Sequence, residues 1–222
     1  GLLSALICNK YCGIRMKKVL IGLIVSIVAV TMAQAGGDAA SGKNKVVACG
    51  ACHGADGNAP VNIYPKLAGQ SAEYLYKQLK DLKLGMTSGG SEGRMDPVMS
   101  AMAMPLTDQD MKDLAAYYAT LNMSEGTTPE EVVEAGTRLY KAGDAERGIP
   151  ACSACHGPRG NGTSLAGFPK ISSQHPEYIK AQLEKFRSGA RNNDQNGMMV
   201  DISKKLTDKD IEILSKYLGG LH

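Results

Sequence analysis

Residues 49–53 read Cys49-Gly50-Ala51-Cys52-His53, and the pattern returns as Cys152-Ser153-Ala154-Cys155-His156. On a helical turn, residues i, i+3 and i+4 share one face, so each run presents two thiols and an imidazole to a single planar surface. Cys-x-x-Cys-His is the attachment signature of c-type haem, in which the thiols bond to the porphyrin and the histidine ligates iron. A Cys-x-x-Cys pair alone would equally suit a zinc half-site, a redox dithiol or a disulfide. Zinc ribbons set their second pair far closer than the 103 residues between these runs, and a thioredoxin-like dithiol needs a βαβ context that this sequence lacks. Cys49, Cys52, Cys152 and Cys155 therefore read as the thioether cysteines of two covalently bound c-type haems. His53 and His156 read as iron ligands.

What surrounds the first run also surrounds the second. Gly54 to Pro60 is a turn-rich loop matched by Gly157 to Thr163, and Tyr64-Pro65-Lys66-Leu67 is matched by Phe168-Pro169-Lys170-Ile171. Gln174 matches Gln70. Ser71 predicts an N-cap for a helix whose stripe is Leu75, Leu79 and Leu82, and Ile179, Leu183 and Phe186 repeat that spacing. Thr107-Asp108-Gln109-Asp110 and Thr207-Asp208-Lys209-Asp210 are capping boxes. They open helices with faces Met111, Leu114, Ala115, Tyr118 and Ile211, Leu214, Leu218. Thr128-Pro129-Glu130-Glu131 predicts a further start, with an N-cap, a first-turn proline and a capping box, for a helix carrying Val132, Val133 and Leu139. Gly36 to Ser41 reads as a flexible lead-in, Lys43 to Ala48 as entry to a short helix ending at His53, and Gly85 to Gly93 as a loop.

The offset between halves is 103 at the haem run, 104 at the proline and 100 at the last capping box. So steady an offset implies duplication of one all-α unit, with insertions confined to loops. Ser124 to Thr128 reads as the linker, which gives domains 36–123 and 124–222.

At the N-terminus, Met16-Lys17-Lys18 precedes an apolar run from Val19 to Met32, and Ala33-Gln34-Ala35 offers a cleavage site. Basic start, apolar middle and small-residue end predict a secretory signal peptide over 16–35. Residues 1–15, with Cys8 and Cys12, then stand as an upstream extension, non-native or mis-started. An uncleaved membrane anchor is the competing reading, against which the run is short. Residues 1–35 hold four basic and no acidic residues, so the remaining chain has 21 basic and 22 acidic. That balance gives no support for nucleic-acid binding. Aromatic content is 5%, with two Phe and no Trp, thin for two independent cores unless a haem supplies apolar bulk to each.

Iron needs a sixth partner or an open face. His175 precedes Pro176 and reads as an N-cap or exposed residue, and His222 is terminal; neither has a counterpart in the first half. Methionine is the better candidate. Met99 lies eight residues before Thr107, and Met199 eight before Thr207. This equality singles them out from Met95, Met102, Met104 and Met198, although Met102 and Met198 stay open as alternatives. Methionine opposite histidine raises the potential of haem iron.

The segments CGACHGADGN and CSACHGPRGN, YPKLAGQ and FPKISSQ, and the two stretches running from Met to Leu-Thr-Asp resemble dihaem cytochromes c of the c4 type. These are tandem class I cytochrome c domains, each a few helices wrapped around one covalent haem. The resemblance runs from Gly36 to the C-terminus. It implies His53 with Met99 and His156 with Met199 as axial pairs, and Pro65 and Pro169 carbonyls accepting hydrogen bonds from the ligating imidazoles. It implies a soluble or peripherally membrane-bound periplasmic carrier of single electrons, with no catalytic residues. Electrons would pass from a quinol-oxidising complex or similar donor to a terminal oxidase, through small transient contacts. A dihaem peroxidase, which needs a ligand-releasing haem and distal acid/base groups, is one alternative. A fixed redox subunit of a larger oxidase or dehydrogenase is another.

Overall fold

The capping signals read from the sequence mark real helix starts. Ser71 Oγ accepts the backbone N–H of Tyr74 at 3.2 Å, and both Thr107 and Thr207 complete reciprocal capping boxes with Asp110 and Asp210. The structure, a computed structural model, describes residues 36–222. The leader, the extension and Cys8 with Cys12 lie outside the described residues.

Among the described residues the fold is helical and has no sheet. The first repeat comprises α1 (Ala39–Lys43), α2 (Val47–His53), α3 (Ala72–Thr87), α4 (Pro97–Ala103) and α5 (Asp108–Ala119). The second comprises α6 (Glu130–Ala142), α7 (Ser153–His156), α8 (Pro176–Ser188), α9 (Met198–Ser203) and α10 (Asp208–Gly219). In each, the first helix packs on the last (α1 on α5, α6 on α10), and the long middle helix lies against the two that follow it. The haem runs sit on α2 and α7.

The faces follow the predicted periodicity except at Leu79 and at Val133, and the first exception is informative. Met111, Leu114, Ala115 and Tyr118 are buried, as are Ile179, Leu183, Phe186, Ile211, Leu214 and Leu218. On α3, Leu75 and Leu82 are buried but Leu79 is only half so, and Gln78 is buried in the same stripe. Gln78 belongs to a polar seam between the repeats rather than to an apolar core. Leu139 and Tyr140 of α6 join Ile179, Leu183 and the α10 face in a single apolar cluster. The first repeat's cluster is smaller, Leu75, Ala115 and Tyr118.

Four local expectations are corrected. The lead-in is not flexible: α1 forms there, capped by Asp38, whose carboxylate accepts the N–H of Ala40 at 3.0 Å. Asp113 of α5 holds it in place, and the backbones come so close that a Cβ on Gly42 would stand 2.0 Å from the Asp113 carbonyl oxygen. Thr128 does not cap α6. Its hydroxyl donates to the Tyr217 carbonyl at 2.9 Å, and Pro129 takes the N-cap position without a side-chain bond. Val133 is exposed, because α6 turns Val132 rather than Val133 inward. The loop expected from Gly85 begins later, since α3 continues to Thr87.

The seam between repeats is hydrogen-bonded. The Gln78 side-chain oxygen accepts from Arg94 at 3.0 Å and from Arg191 at 3.1 Å. That of Gln182 accepts from the same two guanidiniums at 3.0 and 2.9 Å. Arg191 also donates to the Tyr74 hydroxyl at 2.9 Å and lies over the Phe186 ring, 4.5 Å from its centroid. Burying a cation is costly unless its donors are satisfied. Here the glutamine oxygens, the phenol and Asn193 take up the Arg191 donors. Burial alone would raise the Tyr178 phenol, but Arg94 and Arg191 beside it hold it below its usual value.

Candidate haem sites

On α2, one turn brings Cys49, Cys52 and His53 to a common side, and in the second repeat Cys152 stands at the N-cap of α7, with Cys155 and His156 on the helix itself. The four cysteines of the two runs are half-buried and none is joined in a disulfide. Burial raises the Cys49 thiol and pushes that of Cys152 up to about 11. Tyrosine hydroxyls stand near the first cysteine of each run, from different elements: Tyr118 of α5 beside Cys49, and Tyr140 of α6, which donates to the Gly157 carbonyl.

Both imidazoles are buried and oriented alike. His53 Nδ1–H donates to the Pro65 carbonyl at 2.9 Å, and His156 Nδ1–H donates to the Pro169 carbonyl at 2.9 Å. A carbonyl can only accept, so the proton sits on Nδ1 and Nε2 carries the free lone pair. Burial holds both imidazoles below their ordinary pKa, outweighing the opposite pull of the carbonyls. A neutral imidazole with Nδ1 pinned and the lone pair on Nε2, one residue after a cysteine that makes no disulfide, fits a covalently attached haem.

The methionines separate by exposure. Met95, Met102 and Met104 are 45%, 42% and 37% exposed, whereas Met99, Met198 and Met199 are half-buried. Met199 packs against the second repeat's core. An aspartate anchors the backbone of each predicted residue: Asp96 accepts the Met99 N–H at 3.1 Å, and Asp194 accepts the Met199 N–H at 2.6 Å. Asp194 also accepts from Val200 at 3.1 Å. Burial raises the Asp96 carboxyl, but the Met99 N–H and Lys185 bring it below its usual value.

His175 sits at the N-cap position of α8, as expected, without capping it. Its Nε2–H instead reaches across the repeats to the Ala59 carbonyl at 2.9 Å. His222 is exposed. Sequence reasoning aligned Gln70 with Gln174 but did not see their bonds, and it missed the buried seam of Gln78, Gln182, Arg94 and Arg191. The signal available was that these pairs recur at similar offsets.

Two haem-attachment runs, each with a pinned imidazole inside its own copy of one helical unit, define a dihaem c-type cytochrome. The family model described as cytochrome c matches the chain twice, over 39–122 and 133–222. Cytochrome c4 of Stutzerimonas stutzeri is 47% identical over 210 residues, covering 93% of this chain and 100% of that protein. Cytochrome c4 of Azotobacter vinelandii is 44% identical over the same length, with the same coverage of both. The crystal structure of reduced recombinant cytochrome c4 from Pseudomonas stutzeri superposes with a TM-score of 0.81 at 46% identity, covering 84% of this chain and 100% of that one. The chain belongs to the cytochrome c4 family. It is a dihaem electron-transfer protein that binds two c-type haems covalently and exchanges electrons with redox partners.

Proposed function

We propose that His53 with Met99, and His156 with Met199, are the axial ligand pairs of the two haem irons, and that Cys49, Cys52, Cys152 and Cys155 form the thioethers. The matched pinning of His53 and His156 on Pro65 and Pro169 carries this reading, because it prepares one lone pair per repeat for iron. Support for Met99 over Met95, Met102 and Met104 comes from burial, and support for Met199 over Met198 from its packing on the second repeat's core and from Asp194, which holds its backbone. When bound, haem supplies a one-electron couple. The chain's residues hold the ligands, set their basicity and exclude water. With protein ligands on both faces, neither iron offers a position to a substrate, so the chain is a carrier without catalytic residues.

The domains run over 36–123 and 124–222. Support for a changeover within the linker 124–128 comes from its two ends: Ser124 N–H donates to Asn58 of the first repeat at 2.7 Å, whereas Thr128 bonds Tyr217 of the second. The carrier works in the periplasm, delivered by cleavage after Ala35 and soluble or peripheral to the inner membrane. It takes electrons from a quinol-oxidising complex or similar donor and passes them to a terminal oxidase. No described helix is long and apolar enough to cross a membrane.

Optical spectroscopy of the haem-loaded protein in both redox states tests the carrier. Two low-spin haems per chain with a Met–Fe(III) charge-transfer band are expected. A stable high-spin haem that turns over peroxide would overturn it.

A further inference from the structure

The geometry points to Gln174 as the residue that tunes His53, in the opposite repeat, and to Gln70 as the residue that tunes His156. This rests on both histidines being iron ligands. The Pro65 carbonyl that accepts from His53 shares a single peptide unit with the N–H of Lys66. That N–H donates to Gln174 Oε1 at 2.8 Å, and Gln174 Nε2 donates back to the Lys66 carbonyl at 2.9 Å. The mirror arrangement is complete. Lys170 N–H donates to Gln70 Oε1 at 3.0 Å, Gln70 Nε2 donates to the Lys170 carbonyl at 2.8 Å, and Pro169 accepts from His156.

Both glutamines are buried, at 5% and 6% exposure. Each Oε1 also takes the N–H of the next residue, Ser71 at 2.9 Å and His175 at 3.0 Å, which fixes the amide's orientation. Hydrogen bonds in series polarise one another, most strongly away from water. An acceptor on the peptide N–H draws electron density onto the carbonyl oxygen of that unit, making it a better acceptor for the imidazole Nδ1–H. The imidazole becomes more basic at Nε2, which favours the more positively charged oxidised iron and lowers the potential. Each repeat therefore lowers the potential of the other repeat's haem through its own glutamine. His53 and His156 reach their working character only with the repeats docked.

The test uses the full haem-loaded chain, with the two haems followed separately by their NMR methyl signals during potentiometric titration. Gln174→Leu should raise the potential of the haem at Cys49 and Cys52 and leave the other in place. Gln70→Leu should do the reverse. Gln174→Glu keeps an acceptor for the Lys66 N–H, so the first haem should stay at or below the wild-type value. It also serves if the leucine variant does not fold. For the leucine variants, equal movement of both haems, movement of the haem in the mutated repeat, or no movement would overturn the proposal; for Gln174→Glu, a first haem raised above the wild-type value would overturn it. His53→Ala separates the premise from the inference. If the first haem stays low-spin, the ligand reading falls and the tuning with it. If low-spin character is lost but the glutamine variants behave otherwise than stated, only the tuning falls.

Discussion

Asp113 accepts the backbone N–H of Asp38 at 2.8 Å and the Lys45 ammonium at 2.7 Å, and so ties the approach to the first haem run onto α5. Asp113 is 3% exposed. Burial pushes its carboxyl up, but Lys45 and the Asp38 N–H more than reverse this. Asp113→Ala strands partly buried donors and should cost about 1–3 kcal/mol. Denaturant unfolding should report the loss, and hydrogen exchange should quicken across α1. Unchanged exchange there would refute the tie.

Gly136 tests which of two opposed effects governs α6. Alanine is intrinsically better in a helix by about 1 kcal/mol. At this position, however, a Cβ would stand 2.5 Å from the Tyr217 ring of α10. Overpacking of this kind costs about 1–3 kcal/mol, so Gly136→Ala should destabilise. A raised melting temperature would show that α6 can withdraw without loss.

Acid should weaken the second repeat through Asp210. Burial raises this carboxyl, but Arg147 at 2.6 Å and the hydroxyl and N–H of Thr207 bring it down to about 2 from 3.8. A carboxyl depressed on folding adds stability that is full above about pH 4. That stability disappears as pH falls through about 2. The pair is partly solvated, so the contribution is about 1 kcal/mol. Asp210→Asn should be less stable than wild type at pH 7, and the gap should close near pH 2. A gap of constant size would assign the effect to something other than this titration.

Met199→Ala should abolish the Met–Fe(III) charge-transfer band of the second haem and lower its potential, leaving the first unchanged. Met99→Ala should do the converse. If Met198→Ala removes the second band instead, the ligand is its neighbour.

Much of the site was legible because it is local. Cys49, Cys52 and His53 come together by helical spacing alone, and the Thr107 and Thr207 boxes specify their own helix starts within four residues. In two of the places where the reading failed, a distant partner competed with a local rule. Thr128 has the form of a cap, yet its hydroxyl goes to Tyr217, 89 positions along the chain. The glycine- and alanine-rich lead-in becomes a helix because Asp113 offers it an acceptor 75 positions away.

The sequence by itself determined the two covalent haems, the duplication and the all-α class, since each is encoded in spacings shorter than a helix or in a simple offset between halves. Only the tertiary structure decided which methionines are sheltered, and that Gln70 and Gln174 cross the seam to brace each other's half. The glutamine crossing depends on groups about a hundred residues apart in the chain meeting within 3 Å, and no local pattern records where a buried amide will find its partner.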